Sequence, residues 1–218
     1  MRWAKMAKYI SASGWAPVIY TPEGGETGAY DESLLKEIPS DIEVVRTPIW
    51  EPYDLYKTLL GRKKKEKLYS GFINENKKAS LAQKFSVWVR GNFFIPDARM
   101  FWIKPSVRFL KKYLKDHPVD AIVTTGPPHS MHRIGYKVHR ATGIPWVADF
   151  RDPWTNIDFY RDLHLSAWAD RRHHRLELEV LKTASKVVTV TWRSRDEFKA
   201  LCGRDDIVVI PNGFDDAD

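Results

Sequence analysis

The chain has 218 residues, 43% of them hydrophobic, with a formal net charge of +7, enough length and apolar content to bury a sizeable core, which excludes a disordered chain. One cysteine, Cys202, excludes an intramolecular disulfide and a thiol metal cluster and suits a reducing cytoplasm, and the absence of any apolar run of about 20 residues or signal-peptide core predicts a soluble protein. The charge is local: ten Lys or Arg against Glu66 and Glu75 lie between Lys57 and Arg90, a surplus of +8 that leaves the rest of the chain at −1.

Residues 1–13 set Trp3, Met6, Ala7 and Ile10 at i, i+3, i+4 and i+7, the pattern of an amphipathic helix, with Gly14 as its stop. APVIY (16–20) reads as a strand closed by Thr21-Pro22, and IEVVRT (42–47) as a second. Between Pro48 and Pro105 the pattern turns irregular and rich in Trp, Phe and Lys, a basic aromatic insertion over about 50–104 with one helix near 81–89. Pro105 suits the first turn of the next helix, where Val107, Leu110 and Leu114 form the apolar stripe and Pro118 ends it. DAIVTT (120–125) follows as a strand. Ser130 is placed to cap a helix that turns Ile134, Val138 and Ala141 inward and stops at Gly143. PWVADF (145–150) is another strand, residues 166–184 a long helix, and KVVTVT (186–191) a strand. The short helix after it has Ser194 and Glu197 at capping-box spacing and Gly203 at its stop, and DIVVIP (206–211) is the last strand.

Strands joined through helices pair in parallel by right-handed crossovers, and near-continuous apolar strands indicate a sheet covered on both faces. The expected class is α/β, a Rossmann-like doubly wound parallel sheet in one domain over 1–218. Such a domain normally opens on a strand, whereas residue 1 already lies in a helix, so its first strand and the loop after it are expected to be missing. The apolar surface left there predicts self-association. Ligands of these sheets bind beyond the carboxyl ends of the strands. That edge receives residues 124–129, 149–154, 191–193 and 212–216. No G-x-G-x-x-G and no P-loop is present, so a dinucleotide fingerprint is unsupported.

The same tips carry a resemblance. DAIVTTGPPHS, GIPWVADFRDPW, LELEVLKTASKVVTVT and above all VVIPNGFD resemble the N-terminal domain of glycosyltransferase family 4, over nearly the whole chain. GPPHS and DFRDPW resemble a subgroup that decorates bacterial surface polysaccharides. The resemblance implies one half of a B-type two-domain fold, the acceptor-binding half of a retaining, metal-independent transferase. Its substrates would be a nucleotide-sugar, as co-substrate, and a hydroxyl of a lipid-linked glycan, at the cytoplasmic face of the cell membrane. The donor-binding C-terminal domain is expected to be absent, leaving the 218 residues alone without turnover. The alternative is a non-catalytic Rossmann-like binding or regulatory module.

Many family members place a histidine at the tip of the strand matching WVADF, where this chain has Arg151. Arg151 and Asp152 are the candidate catalytic residues: a guanidinium can stabilise a departing diphosphate, or can pair with Asp149 or Asp152. Gly126, Pro128, His129, Asp149, Trp154 and Asn212 are the candidate substrate-binding residues, against loop shaping for the glycine and prolines, capping or packing for His129, and a core position for Trp154. His129 stands at a helix N-terminus, which lowers its tendency to be protonated. His173 and His174 diverge by about 100° on one helix, and His129 and His132, three apart, lack a carboxylate or thiol to complete a metal site, so no metal is expected. The basic aromatic segment is a solvated excursion, a face for anionic membrane or lipid-linked phosphate through Lys63, Lys64, Lys65, Lys67, Trp88 and Arg90, or a nucleic-acid surface; no recognisable nucleic-acid module accompanies it.

Overall fold

Parallel strand pairing organises the chain twice. The computed structural model describes residues 2–25, 38–52 and 81–213, and the chain divides into two compact units, Met1–Lys77 and Lys78–Asp218.

In the first unit, helix α1 (Arg2–Ala12) buries Ala7, in keeping with its apolar spacing. Strands β1 (Val18–Glu23) and β2 (Glu43–Pro48) pair in parallel, Val18 opposite Glu43 and Glu23 opposite Pro48. Tyr20 and Thr47 join their hydroxyls across the pair at 2.7 Å. The expected stop at Thr21-Pro22 is overrun, because a proline that donates no N–H is tolerated on a strand with an open edge.

The second unit follows a regular alternation. After helices α2 (Leu81–Phe93) and α3 (Met100–Asp116) come β3 (Ile122–Gly126), α4 (Ser130–Thr142), β4 (Trp146–Phe150), a 3-10 turn (Asp158–Leu163), α5 (Ala167–Thr183), β5 (Lys186–Thr189), α6 (Trp192–Cys202) and β6 (Ile207–Val209). The strands lie in the order β3-β4-β5-β6, all parallel, the α/β class that the sequence pattern predicts. Sequential order with right-handed crossovers puts α4, α5 and α6 on one face. Trp146, Ala148, Phe150, Val187 and Ile207 point to that face and join Ala169, Leu176, Val180, Leu181 and Phe198 in the core. On the other face Val123 and Val208, on the edge strands, are exposed, and Val147 and Val188, on the inner strands, are half-buried.

Several local expectations shift, each because a partner distant in sequence takes over. Helix α3 begins at Met100, so Pro105 lies inside it and not in its first turn. Trp102 and Ile103 are buried there, and turning them inward requires helix before the proline, although Pro105 has no N–H to give the turn before it. Ser130 does not cap α4 but is its first residue; the Asp97 carboxylate accepts both its N–H (2.8 Å) and its hydroxyl (2.7 Å). Ala141 is exposed, and the inward face of α4 is instead Ser130, His132, Arg133, Ile134, Gly135 and Val138. Thr191 caps α6 by accepting the Ser194 N–H at 3.1 Å, while Glu197 pairs with Arg193 at 2.9 Å. Gly143 and Gly203 end their helices as expected.

Candidate functional site

The register places Gly126 opposite Phe150, Phe150 opposite Thr189 and Thr189 opposite Val209. In a parallel sheet this row is the common carboxyl edge, so the loops after β3, β4, β5 and β6 leave from one side. Gly126, Asp149 and Asn212 therefore sit at the same end of the sheet, with Asn212 on an exposed segment beyond β6.

The loop after β3 is held by the loop after β4. Gly126, Pro127 and Pro128 offer carbonyls, and two of the three are taken by Arg151: its backbone N–H bonds Gly126 O at 3.0 Å, and its guanidinium bonds Pro127 O. The third, Pro128 O, accepts the Met131 N–H at 3.2 Å. Arg151 is thus bound to a main-chain carbonyl, its Nε buried without a hydrogen-bond partner, while the neighbouring Asp152 is exposed. Asp149 is buried and accepts the Thr125 hydroxyl at 3.0 Å. By strand alternation these two side chains lie on the face opposite α4.

On the α4 face, imidazoles and indoles pack together. The His129 ring lies parallel to the Trp154 indole, 4.6 Å between centroids and 1° between planes. Trp154 is only 3% exposed, and its Nε1–H donates to His173 Nδ1 at 3.0 Å. His173 then carries its proton on Nε2, facing Gly91 O at 3.4 Å. His132 is fully buried, 4.3 Å from the Phe150 ring, with Nδ1 at 2.9 Å from Thr124 Oγ1. Thr124 Oγ1 also accepts the Trp146 indole N–H at 2.8 Å. Burial first, then the positive groups nearby, keeps these histidines neutral: His132 is pushed down to about 3, with Arg151 contributing, and His129 falls well below the ordinary histidine value, with His132, His173 and Arg151 contributing. The sequence expects a neutral His129 on account of the helix N-terminus; the larger cause is desolvation.

Glu177 escapes sequence reasoning, and His132, weighed there only as a metal ligand, has a role that it does not show. Glu177, fully buried on α5, accepts the Trp154 N–H (3.2 Å), the Thr155 N–H (3.3 Å) and the Thr155 hydroxyl (2.5 Å), so one carboxylate pins the loop after β4. Burial raises its pKa, and these three bonds pull it back. Its signal in the sequence is a carboxylate between Leu176 and Val180 on the apolar stripe of α5. For His132 the signal is the three-residue spacing from His129, which puts both rings on one side of α4.

Trp88 and Arg90 are exposed on α2. Trp88 stacks on Phe85 and meets Phe93 edge-on, and Phe85 and Phe93 are 66% and 62% exposed. Lys63, Lys64, Lys65 and Lys67 are outside the described residues. Among the described residues no helix is long and apolar enough to cross a membrane, and no three His, Cys, Asp or Glu group as metal ligands would.

Compared with known families, the sequence matches the one described as glycosyl transferase 4-like domain over residues 79–213. No curated protein and no solved structure matches it.

Proposed function

Because the chain belongs to the glycosyl transferase 4-like domain family, we propose that it is the acceptor-binding half of a retaining transferase that moves a sugar from a nucleotide-sugar to a lipid-linked glycan in bacterial polysaccharide synthesis. The α/β fold with parallel sheets is consistent with the Rossmann-like half of a B-type glycosyltransferase. The observation that carries the reading is the shared carboxyl edge, where Gly126 and His129, Arg151 and Asp152, and Asn212 follow the parallel strands β3, β4 and β6 of one sheet. Hydroxyl-rich ligands call for fixed donors and acceptors on rigid elements. Arg151, bound to the loop after β3, supplies fixed positive charge for a phosphate. Asp152, exposed beside it, supplies a carboxylate for an acceptor hydroxyl. Trp154 and Glu177 act behind them, the first backing the His129 ring and the second holding the loop.

Amide shifts on adding a polyprenyl-diphosphate saccharide test this reading. They are expected at Gly126, His129, Arg151 and Asp152; shifts confined to regions away from the strand tips, or none at all, would end it. Arg151→Ala is expected to weaken binding of the diphosphate-linked form about tenfold or more, and of the free saccharide less.

The exposed rings of Phe85, Trp88 and Phe93 beside Arg90, with the Lys-rich stretch of 57–78 preceding them in sequence, support a peripheral contact with an anionic bilayer. Co-sedimentation with phosphatidylglycerol vesicles that weakens with added salt, and falls again in Trp88→Ala, is the expected result. Equal binding to neutral vesicles, or stronger binding to oligonucleotides, would count against it.

A further inference from the structure

We infer that His132 is a positioning residue for His129: it fixes the tautomer in which Nε2 of His129 carries the proton, so that His129 presents an N–H donor to an oxygen of the ligand at the strand tips. The inference rests on the reading that those tips bind a saccharide or its phosphate. Its origin is a count of protons along a chain of contacts.

An indole nitrogen can only donate, so Trp146 Nε1–H occupies one lone pair of Thr124 Oγ1. Among the described residues the one acceptor within reach of the Thr124 hydroxyl hydrogen is His132 Nδ1, at 2.9 Å, so the hydroxyl is assigned as the donor. With Nδ1 accepting, the proton of the neutral His132 ring sits on Nε2. That N–H is buried and has no hydrogen-bond partner, and so does Nδ1 of His129. Both point to one place: a Cβ built on Gly126 would lie 2.6 Å from His132 Nε2 and 3.1 Å from His129 Nδ1. The two nitrogens are therefore close enough for one water molecule to bridge them, and a buried donor without an acceptor is costly. A bridge that accepts the His132 N–H and donates to His129 Nδ1 satisfies both buried nitrogens and makes that Nδ1 the acceptor. The His129 proton is left on Nε2. Nδ1 of His129 is the buried nitrogen without a hydrogen-bond partner, which leaves Nε2, with its proton, as the ring nitrogen free to meet a ligand oxygen. Stacking on Trp154 fixes the plane of the ring. No proton is transferred along this chain; it orients one.

Long-range proton–nitrogen correlation spectra of the imidazoles, on the whole chain at neutral pH, read the tautomer of each ring. Both His132 and His129 are expected as Nε2–H forms. In Thr124→Val, which removes the donor to His132 Nδ1, His132 is expected to leave that form and His129 to become a mixture; Thr124→Ser, which keeps the hydroxyl, should match the wild type. His132→Phe should likewise release His129 and weaken binding of the polyprenyl-diphosphate saccharide about tenfold. A wild-type His129 in the Nδ1–H form, or one whose tautomer ignores both His132→Phe and Thr124→Val, overturns the inference and leaves the functional reading standing. The expected tautomers with no response of His129 to any saccharide would instead sink the functional reading and keep the positioning role.

Discussion

Gly126 and Gly135 have no side chains, and for different reasons nothing larger fits. At Gly126 the atoms that come closest belong to the chain's own His132 and His129 rings; at Gly135 a methyl group would meet the Trp146 indole and the Thr124 methyl. Gly135→Ala is expected to lower stability by about 1–3 kcal/mol through overpacking, read as a lower urea midpoint at an unchanged m-value. Glu177→Gln keeps the shape but turns one of the two oxygens accepting from Trp154 and Thr155 into a donor. It should cost about 1–3 kcal/mol, and heightened amide exchange confined to Trp154 and Thr155 would distinguish it from global loosening. Legibility is lowest at this scale. The sequence shows that His129, Arg151 and Trp154 arrive near the strand tips, because each follows a strand directly. It does not show that Trp154 backs His129, or that Arg151 turns to the Pro127 carbonyl, because those contacts depend on how two loops meet.

Two helix ends in this chain are secured by residues distant in sequence. Asp97 holds the start of α4 across 33 residues of sequence, and Arg204 holds the end of α5 by donating to the carbonyls of Leu181 (2.9 Å), Ala184 (2.5 Å) and Ser185 (3.3 Å). Asp97→Ala should cost about 0.5–2 kcal/mol, the range of a lost N-cap, and should raise exchange at the Ser130 amide before any other in α4. An unchanged Ser130 amide would show that another group caps the helix. The long helix over 166–184 and the four strands of the larger sheet were legible, since apolar periodicity and the Gly143 and Gly203 stops are local signals. The starts of α3, α4 and α6 were not, since Trp102 burial, Asp97 and Thr191 compete with the nearest plausible cap.

At the scale of the whole molecule, several titratable groups are buried together, and their linkage to folding has opposing signs. His129, His132 and His173 all have pKa values lowered in the folded chain. Unfolded histidine binds a proton near pH 6.5 and these do not, so their contribution is present above about pH 6.5 and is lost as the pH falls toward their folded values, for His132 toward about 3. Glu177, raised by burial, acts the other way: stability falls as the pH rises from the ordinary carboxyl range to its folded value. The histidine part is isolated by comparison. Between pH 6 and 4.5 the stability of His132→Gln is expected to depend on pH less steeply than that of the wild type, by up to about 1.4 kcal/mol per pH unit; identical slopes would show that His132 is protonated in the folded chain. What the sequence determined alone is the alternation of strand and helix, hence the parallel sheet, its carboxyl edge and the family resemblance, because periodicity and glycine stops act over a few residues. Tertiary structure alone decided which side chains at that edge are buried, which proton each imidazole carries and what Arg151 and Glu177 hold, because desolvation and hydrogen-bond geometry are set by groups that meet only once the chain has folded.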